Sequence, residues 1–170
     1  TGELLFFAYG LTPPYLTYYR ASAEGEPVQS EQIDMPAATM IHDFAVTRSH
    51  VIFMDLPVVW DLAAMERGLP LRWSDEHGAR LGVMARDGKG SDIVWYEIEP
   101  CYVYHPMNAF EDEQGRITID VCRMPHTMKP GAIEVQPRLH RWTIDRAAGS
   151  VTETALDDRA VEFPRVHDER

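Results

Sequence analysis

The sequence is dominated by short extended segments that alternate with glycine-rich or polar turns. These segments are rich in Val, Ile, Tyr, Thr and Phe, residue types that are favoured on a pleated, half-buried surface. The loops between them, such as Asp87-Gly88-Lys89-Gly90 and Asp112-Glu113-Gln114-Gly115, are typical of β-hairpins. The pattern predicts a first strand over 4–9 and then five hairpins, formed by residues 14–20 with 28–33, 39–47 with 51–56, 81–86 with 93–98, 105–111 with 116–123, and 139–144 with 151–156.

Helical signals are almost absent. Only Trp60–Gly68 has a helical pattern, and Gly68 followed by Pro70 ends it. The chain is therefore predicted to be all-β, built from consecutive antiparallel hairpins. Such a series is typical of a meander, a sandwich or a β-propeller. Because no strict repeat period is visible, the pattern alone leaves these three architectures open.

Composition excludes several classes of function. The chain of 170 residues has 16 Lys and Arg against 27 Asp and Glu, a net charge of −11, which argues against nucleic-acid binding and against a polybasic membrane anchor. Cys101 and Cys122 are too few for a disulfide framework and lack zinc-type spacing. They favour a reducing compartment, and we therefore expect a cytoplasmic location. The longest uncharged stretch, residues 4–19, is too short and too interrupted to span a bilayer.

Two histidines lie within extended runs. His42 is predicted to share a strand face with Phe44 and Val46, and His105 precedes Pro106 in a second run. A neutral imidazole supplies a metal with a lone pair without adding charge. A histidine in a strand is nevertheless more often a core or surface residue, and the separation of these two does not by itself favour a metal site. The other histidines are predicted to have solvent or structural roles: His50, His77, His126, His140 and His167.

Glu162 is a carboxylate framed by the apolar residues Val161 and Phe163. It fits an exposed charge at a sheet edge, which is the usual case, and it also fits a buried acceptor for the N–H of a metal-bound imidazole. The local pattern does not choose between the two. No nucleophile elbow, phosphate-binding loop or Cys/His cluster occurs in the sequence.

Four blocks of sequence, taken in order, resemble the carotenoid cleavage oxygenase family. That family includes bacterial and plant carotenoid dioxygenases, the lignostilbene dioxygenases and the isomerohydrolase of the retinal pigment epithelium. The resemblance extends over essentially the whole chain. The blocks are MIHDFAVT with VIFMDLP over 40–47 and 51–57, HGARLGV over 77–83, YHPMNAFE over 104–111, and EFPR over 162–165.

The resemblance implies a seven-bladed β-propeller with an Fe(II) ion on its axis, held by four histidines from different blades. His42 and His105 match two of these ligands. Glu162 matches one of the glutamates that orient the ligand histidines, and we expect it to pair with His105. The other two ligands would lie outside residues 1–170, so we expect the chain to be a middle fragment of one larger propeller domain.

The implied reaction is cleavage by O2 of a conjugated carbon–carbon double bond in a carotenoid, apocarotenoid or stilbenoid, giving two carbonyl products. Phe44, Met107 and Phe110 flank the two histidines and are candidates for lining a substrate tunnel, although plain core packing is the more common role for any single one of them. The segment alone, with two of four ligands, is expected to be inactive. Peripheral membrane contact by the full-length protein stays open. The competing hypothesis is a non-catalytic β-propeller module that serves binding or structure.

Overall fold

The computed structural model describes residues 2–63 and 68–166. Within them the chain is nearly all β, as predicted, and 3-10 helix occurs at residues 62–63 and over Gly90–Asp92. The strands are β1 (Leu4–Tyr9), β2 (Leu16–Ala21), β3 (Pro27–Ile33), β4 (Phe44–Val46), β5 (His50–Asp55), β6 (Val58–Trp60), β7 (Leu71–Trp73), β8 (Arg80–Ala85), β9 (Val94–Glu97), β10 (Tyr102–Glu111), β11 (Ile117–Met124), β12 (Arg138–Asp145) and β13 (Ser150–Ala160). In residues 2–63 and 68–166 we find no helix with the length and apolar character needed to cross a membrane.

The strands form three main antiparallel sheets in chain order. The first sheet is β1-β2-β3, the second is β4-β5-β8-β9, and the third is β10-β11-β12-β13. The hairpin β6-β7 is inserted between β5 and β8, which pair with each other across it. Four-stranded antiparallel meanders of this kind are the blades of β-propellers.

The three sheets stack face to face, and strand β5 shows why. Successive side chains of a strand point to opposite faces of its sheet. In β5, Val51 and Phe53 enter one core, whereas Ile52 and Met54 enter the other, and all four are buried. The second sheet is therefore covered on both faces. The first core, between the first and second sheets, includes Leu16, Tyr18, Ile33, Val51, Phe53 and Met84. The second core, between the second and third sheets, includes Ile52, Met54, Leu81, Tyr102, Ile117, Ile119 and Trp142.

Four of the five predicted hairpins are confirmed as β2-β3, β8-β9, β10-β11 and β12-β13. The remaining hairpin, 39–47 with 51–56, is only partly correct, because β4 contains Phe44–Val46 alone. His42 therefore lies outside a strand, and the predicted alternation over His42, Phe44 and Val46 is wrong. The physical reason is that Thr39 bridges to Val59, so this segment runs along β6 before it turns into β4.

The predicted helix over 60–68 is wrong at its first residue, although residues 62–63 are in a 3-10 conformation. Trp60 instead ends strand β6, where it pairs with Leu71 of β7. Residues 64–67 of that predicted helix lie outside the described part of the chain.

Candidate metal site

The first strands of the second and third sheets, β4 and β10, pack beside each other. His42 precedes β4 by two residues, and His105 lies within β10. Their imidazole rings meet edge to face, with centroids 5.3 Å apart and ring planes at 82°. Stacking of the sheets thus brings together two histidines that are far apart in the sequence.

Strand β10 is irregular where it carries His105. Its register with β11 shifts on both sides of Pro106, so the ladder is interrupted between Val103 and Asn108. Proline has no N–H to donate to a ladder, and such irregularities re-aim the neighbouring side chains. The sequence His105-Pro106 therefore provides a local reason why the His105 ring points toward the His42 ring.

Glu162 binds His105 directly. The Nδ1 atom of His105 lies 2.9 Å from Oε2 of Glu162, and both side chains are partly exposed. A carboxylate accepts but does not donate, so Nδ1 carries the proton and Nε2 keeps a free lone pair. A bond of this kind fixes the ring orientation and raises the basicity of a metal-binding imidazole.

The Glu162 carboxylate is held in turn by its surroundings. Its Oε2 atom also accepts the backbone N–H of Phe163 at 2.8 Å. Phe163 has a positive φ of 53°, an uncommon conformation for a non-glycine residue. Burial and the negative charge of Glu162 raise the pKa of the Cys122 thiol to about 11. Cys122 therefore stays a neutral thiol beside the carboxylate.

Aromatic side chains flank the two histidines, of which His42 is exposed and His105 is half-buried. The Tyr104 ring meets His42 edge-on at 5.1 Å, and the Phe163 ring lies 4.9 Å from His105. Together they border a cavity of about 440 Å³ that opens onto both imidazoles. The rest of its wall is formed by Met124, Glu134, Val135, Gln136, Pro137 and Glu162.

The donor set fits part of a transition-metal site. Two neutral imidazoles suit iron and similar ions, and among the described residues neither ring nitrogen of His42 has a hydrogen-bond partner. A further carboxylate near the pair is Asp43, whose pKa is raised by burial against the lowering effects of the Phe44 N–H and the two histidines. Residues 2–63 and 68–166 hold no group of three or more His, Cys, Asp or Glu that could bind a metal. The pair can therefore supply only part of a coordination sphere.

The three candidate tunnel residues lie apart from this cavity. Phe44 packs in the first core, stacked on Phe53 with ring centroids 5.6 Å apart. Phe110 is exposed near the end of β10, beneath the guanidinium of Arg141. Met107 is half-buried on the same strand. A role for these three residues in a substrate tunnel stays a prediction.

Several wall residues were not anticipated from the sequence. Tyr104 directly precedes His105 in the sequence, and Phe163 directly follows Glu162. Their positions beside candidate site residues were therefore a usable signal that they border the site. Residues 134–137 belong to the connection between β11 and β12, and they reach the cavity only through tertiary folding. Nothing in their local pattern indicates this.

Stacked antiparallel blades with two histidines at their shared inner edge define a β-propeller-type chain with a candidate metal centre. The sequence model of the family described as retinal pigment epithelial membrane protein matches residues 1–170, and the chain belongs to that family. This confirms the resemblance to the carotenoid cleavage oxygenases.

Known relatives agree with this assignment. The carotenoid cleavage oxygenase of Mycobacterium tuberculosis is 30% identical over 99% of this chain and 43% of its own length. Among solved structures, the lignostilbene dioxygenase of Pseudomonas brassicacearum has a TM-score of 0.85 and 30% identity, covering 97% of this chain and 38% of that one. Cobalt-substituted apocarotenoid oxygenase of Synechocystis has a TM-score of 0.77 and 25% identity, covering 89% and 34%.

These proteins are β-propellers, so the three stacked sheets correspond to part of a propeller. The chain spans between 34% and 43% of the length of these relatives. Their names place the family among the oxygenases.

Proposed function

We propose that this chain is part of a non-haem Fe(II) dioxygenase that uses O2 to cleave a conjugated carbon–carbon double bond. One observation carries the proposal: His42 and His105 converge at one cavity, and Glu162 occupies the Nδ1 side of His105. Among the relatives of known structure, one is a lignostilbene dioxygenase and another is a cobalt-substituted apocarotenoid oxygenase. The metal would be held by Nε2 of His105 and by the His42 ring.

When bound, the iron supplies the activation of O2. The chain's own residues prepare the cavity for that chemistry. Glu162 keeps the proton of His105 on Nδ1 and holds the ring in place. Tyr104 and Phe163 offer aromatic faces beside the histidines, and such faces suit a flat conjugated molecule.

The proposed partners are O2 and an apolar conjugated small molecule, namely a carotenoid, apocarotenoid or stilbenoid, which yields two carbonyl products. The apolar and aromatic lining of the cavity supports this class. The net charge of −11 disfavours a nucleic-acid partner. We place the protein in the cytoplasm, and peripheral contact of the whole protein with a membrane stays open.

We further propose that residues 1–170 are an internal part of one larger propeller domain that completes the ligand set. Sequencing the flanking gene tests this directly. Histidines at the two missing ligand positions are expected. Their absence would instead support a non-catalytic propeller module, which the partial donor set of the described residues also allows.

The metal assignment is tested in the protein expressed from its complete coding sequence. His42→Ala and His105→Ala are each expected to abolish both iron content and cleavage activity. His126→Ala is the matched control, because this ring packs on Trp73 and is not part of the cavity wall. Stoichiometric iron in either of the first two variants contradicts the proposal.

A further inference from the structure

We propose that Tyr102 is a positioning residue for the metal site, because its hydroxyl fixes the backbone that carries His42 relative to the strand that carries His105. The inference rests on the proposed function of the two histidines. It concerns a residue of the second core that does not border the cavity.

His42 needs such support because it lies outside the strand ladder. The segment that precedes it is held by two hydrogen bonds that do not involve β10. The Met40 N–H donates to the Val58 carbonyl at 2.8 Å, and the Thr39 hydroxyl donates to Oδ1 of the buried Asp55 at 3.2 Å. Val58 lies in the inserted hairpin β6-β7 and Asp55 lies in the second sheet. Neither bond therefore fixes the distance to β10.

Tyr102 supplies the missing connection between the sheets. Its hydroxyl donates to the Met40 carbonyl at 2.7 Å, two residues before His42. Tyr102 begins β10, the strand that also carries His105. Its side chain is fully buried, where loss of a bond partner is costly for either group. One short hydrogen bond thus connects the strand that carries His105 to the backbone just before His42.

The Tyr102 ring also supports the His42 side chain through Tyr104. Tyr102 and Tyr104 pack edge to face with centroids 4.8 Å apart. Tyr104 in turn meets the His42 ring at 5.1 Å and 88°. Strand β10 therefore limits both the backbone position and the ring rotation of His42.

Metal ligands from separate elements bind well only when their geometry is held closely by the surrounding side chains. Removal of the Tyr102 hydroxyl frees the Met40 carbonyl and removes the hydrogen bond between β10 and the segment before His42. The pair of imidazoles is then less well preorganised. The expected result is weaker binding and altered coordination geometry of a metal ion that both histidines hold.

The test compares Tyr102→Phe with Tyr18→Phe in the protein expressed from its complete coding sequence. Tyr18 is a matched control, because it is also fully buried and donates to a backbone carbonyl, that of Arg86, but within the first core. The measurements are Co²⁺ affinity by titration of the metal-free protein, the visible absorption spectrum of bound Co²⁺, and the melting temperature. Both variants are expected to melt at lower temperature. Only Tyr102→Phe should weaken Co²⁺ binding, by about 5- to 10-fold, and change the spectrum.

Three outcomes overturn the inference. The first is wild-type Co²⁺ affinity and spectrum in Tyr102→Phe while His42→Ala has lost the metal, a result that leaves the proposed function intact. The second is an equal loss of affinity in Tyr18→Phe, which would show a general loosening. The third is full Co²⁺ binding by His42→Ala, which overturns the proposed function as well.

A second variant keeps the test decisive where Tyr102→Phe does not fold. Tyr104→Leu retains an apolar side chain in a half-buried position and removes the ring contact with His42. It is expected to weaken Co²⁺ binding in the same direction as Tyr102→Phe. Unchanged binding in Tyr104→Leu contradicts the inference.

Discussion

At the scale of single residues, the site depends on which nitrogen of His105 is free. Glu162 comes from beyond the last strand of the third sheet and binds Nδ1, so Nε2 alone remains available to a metal. The sequence supplied both residues through family resemblance. Their contact could not be derived from spacing, because it depends on how the segment after β13 reaches His105 in β10.

Substitution of Glu162 by Gln is expected to lower the affinity for Co²⁺ by about 10- to 100-fold, as is usual for a residue that orients a metal ligand. The amide is neutral and can present either an acceptor or a donor to Nδ1, so the His105 tautomer is no longer fixed. Co²⁺ titration of the protein expressed from its complete coding sequence measures the effect. Glu134→Gln, at another carboxylate that borders the cavity, should bind as the wild type does. Equal affinities in all three proteins would disprove the role of Glu162.

Asp55 shows a second kind of residue that the sequence did not reveal. It is completely buried, and its carboxylate accepts bonds from Nε2 of His77 at 2.8 Å, Nε of Arg80 at 2.8 Å and the Thr39 hydroxyl at 3.2 Å. These partners come from three separate segments. The predicted structural role of His77 is in keeping with this contact.

Asp55→Asn is expected to destabilise the protein by about 3–5 kcal/mol, because it leaves the Arg80 charge without its buried partner. Urea unfolding of the protein expressed from its complete coding sequence measures the change. Asp61→Asn breaks the more exposed ion pair with Arg72, and we expect an effect of about 0–1 kcal/mol. Similar losses in both variants would show that burial of the Asp55 cluster has no special importance.

At the scale of elements, β10 is fastened to the second sheet at both ends. Tyr102 makes the contact at its start, and Glu111 makes one at its end. The Glu111 carboxylate accepts bonds from the hydroxyls of Thr47 and Ser49 and from Nδ1 of His50, all in or beside the turn between β4 and β5. Strand β10 carries His105, and β4 follows His42. Contacts at both ends of β10 thus hold it against the part of the chain that includes β4.

The Glu111 contact predicts a specific dependence of stability on pH. Burial opposes ionisation of Glu111, but the hydrogen bonds from Thr47, Ser49 and His50 outweigh it and lower the pKa from its ordinary 4.5 to about 2. Because the folded-state pKa is depressed, the stabilisation is fully present above pH 4.5 and is lost as pH falls through about 2.

The measurement is the free energy of unfolding of the wild type and of Glu111→Gln as a function of pH. The advantage of the wild type is expected to be constant above pH 4.5 and to shrink between pH 4.5 and about 2. Glu113→Gln, in the turn between β10 and β11 two residues after Glu111, serves as the control and should follow the wild type. A constant difference down to pH 2 would show that the Glu111 contact does not titrate in this range.

At the scale of the whole molecule, the two outer sheets expose apolar side chains among the described residues. The first sheet exposes Leu4, Phe6 and Val28, at 59%, 41% and 55% of their surface, and β13 exposes Leu156 at 41%. The middle sheet, by contrast, is buried on both faces. Exposed apolar side chains of this kind are available for packing against further protein surface.

Residues 1–170 expressed alone are therefore expected to aggregate and to bind Co²⁺ far more weakly than the protein expressed from its complete coding sequence. Uncovered apolar faces and unpaired strand edges favour association, and two imidazoles provide an incomplete ligand set. Light scattering and Co²⁺ titration measure both properties. A monodisperse monomer that melts cooperatively and binds Co²⁺ as tightly as the longer protein would contradict this expectation.

The sequence by itself determined the strand content, four of the hairpins and the family, because strand propensity, turn chemistry and short motifs are local properties of the chain. Through the family resemblance it also predicted His42, His105 and Glu162 as site residues. Only the tertiary structure decided that β5 pairs with β8 across an inserted hairpin, that His42 lies outside a strand, and that residues 134–137 wall the cavity. Each of these depends on the stacking of sheets and on contacts such as that of Tyr102 with Met40. The energies of such contacts belong to pairs of residues distant in the sequence, so no local pattern carries them.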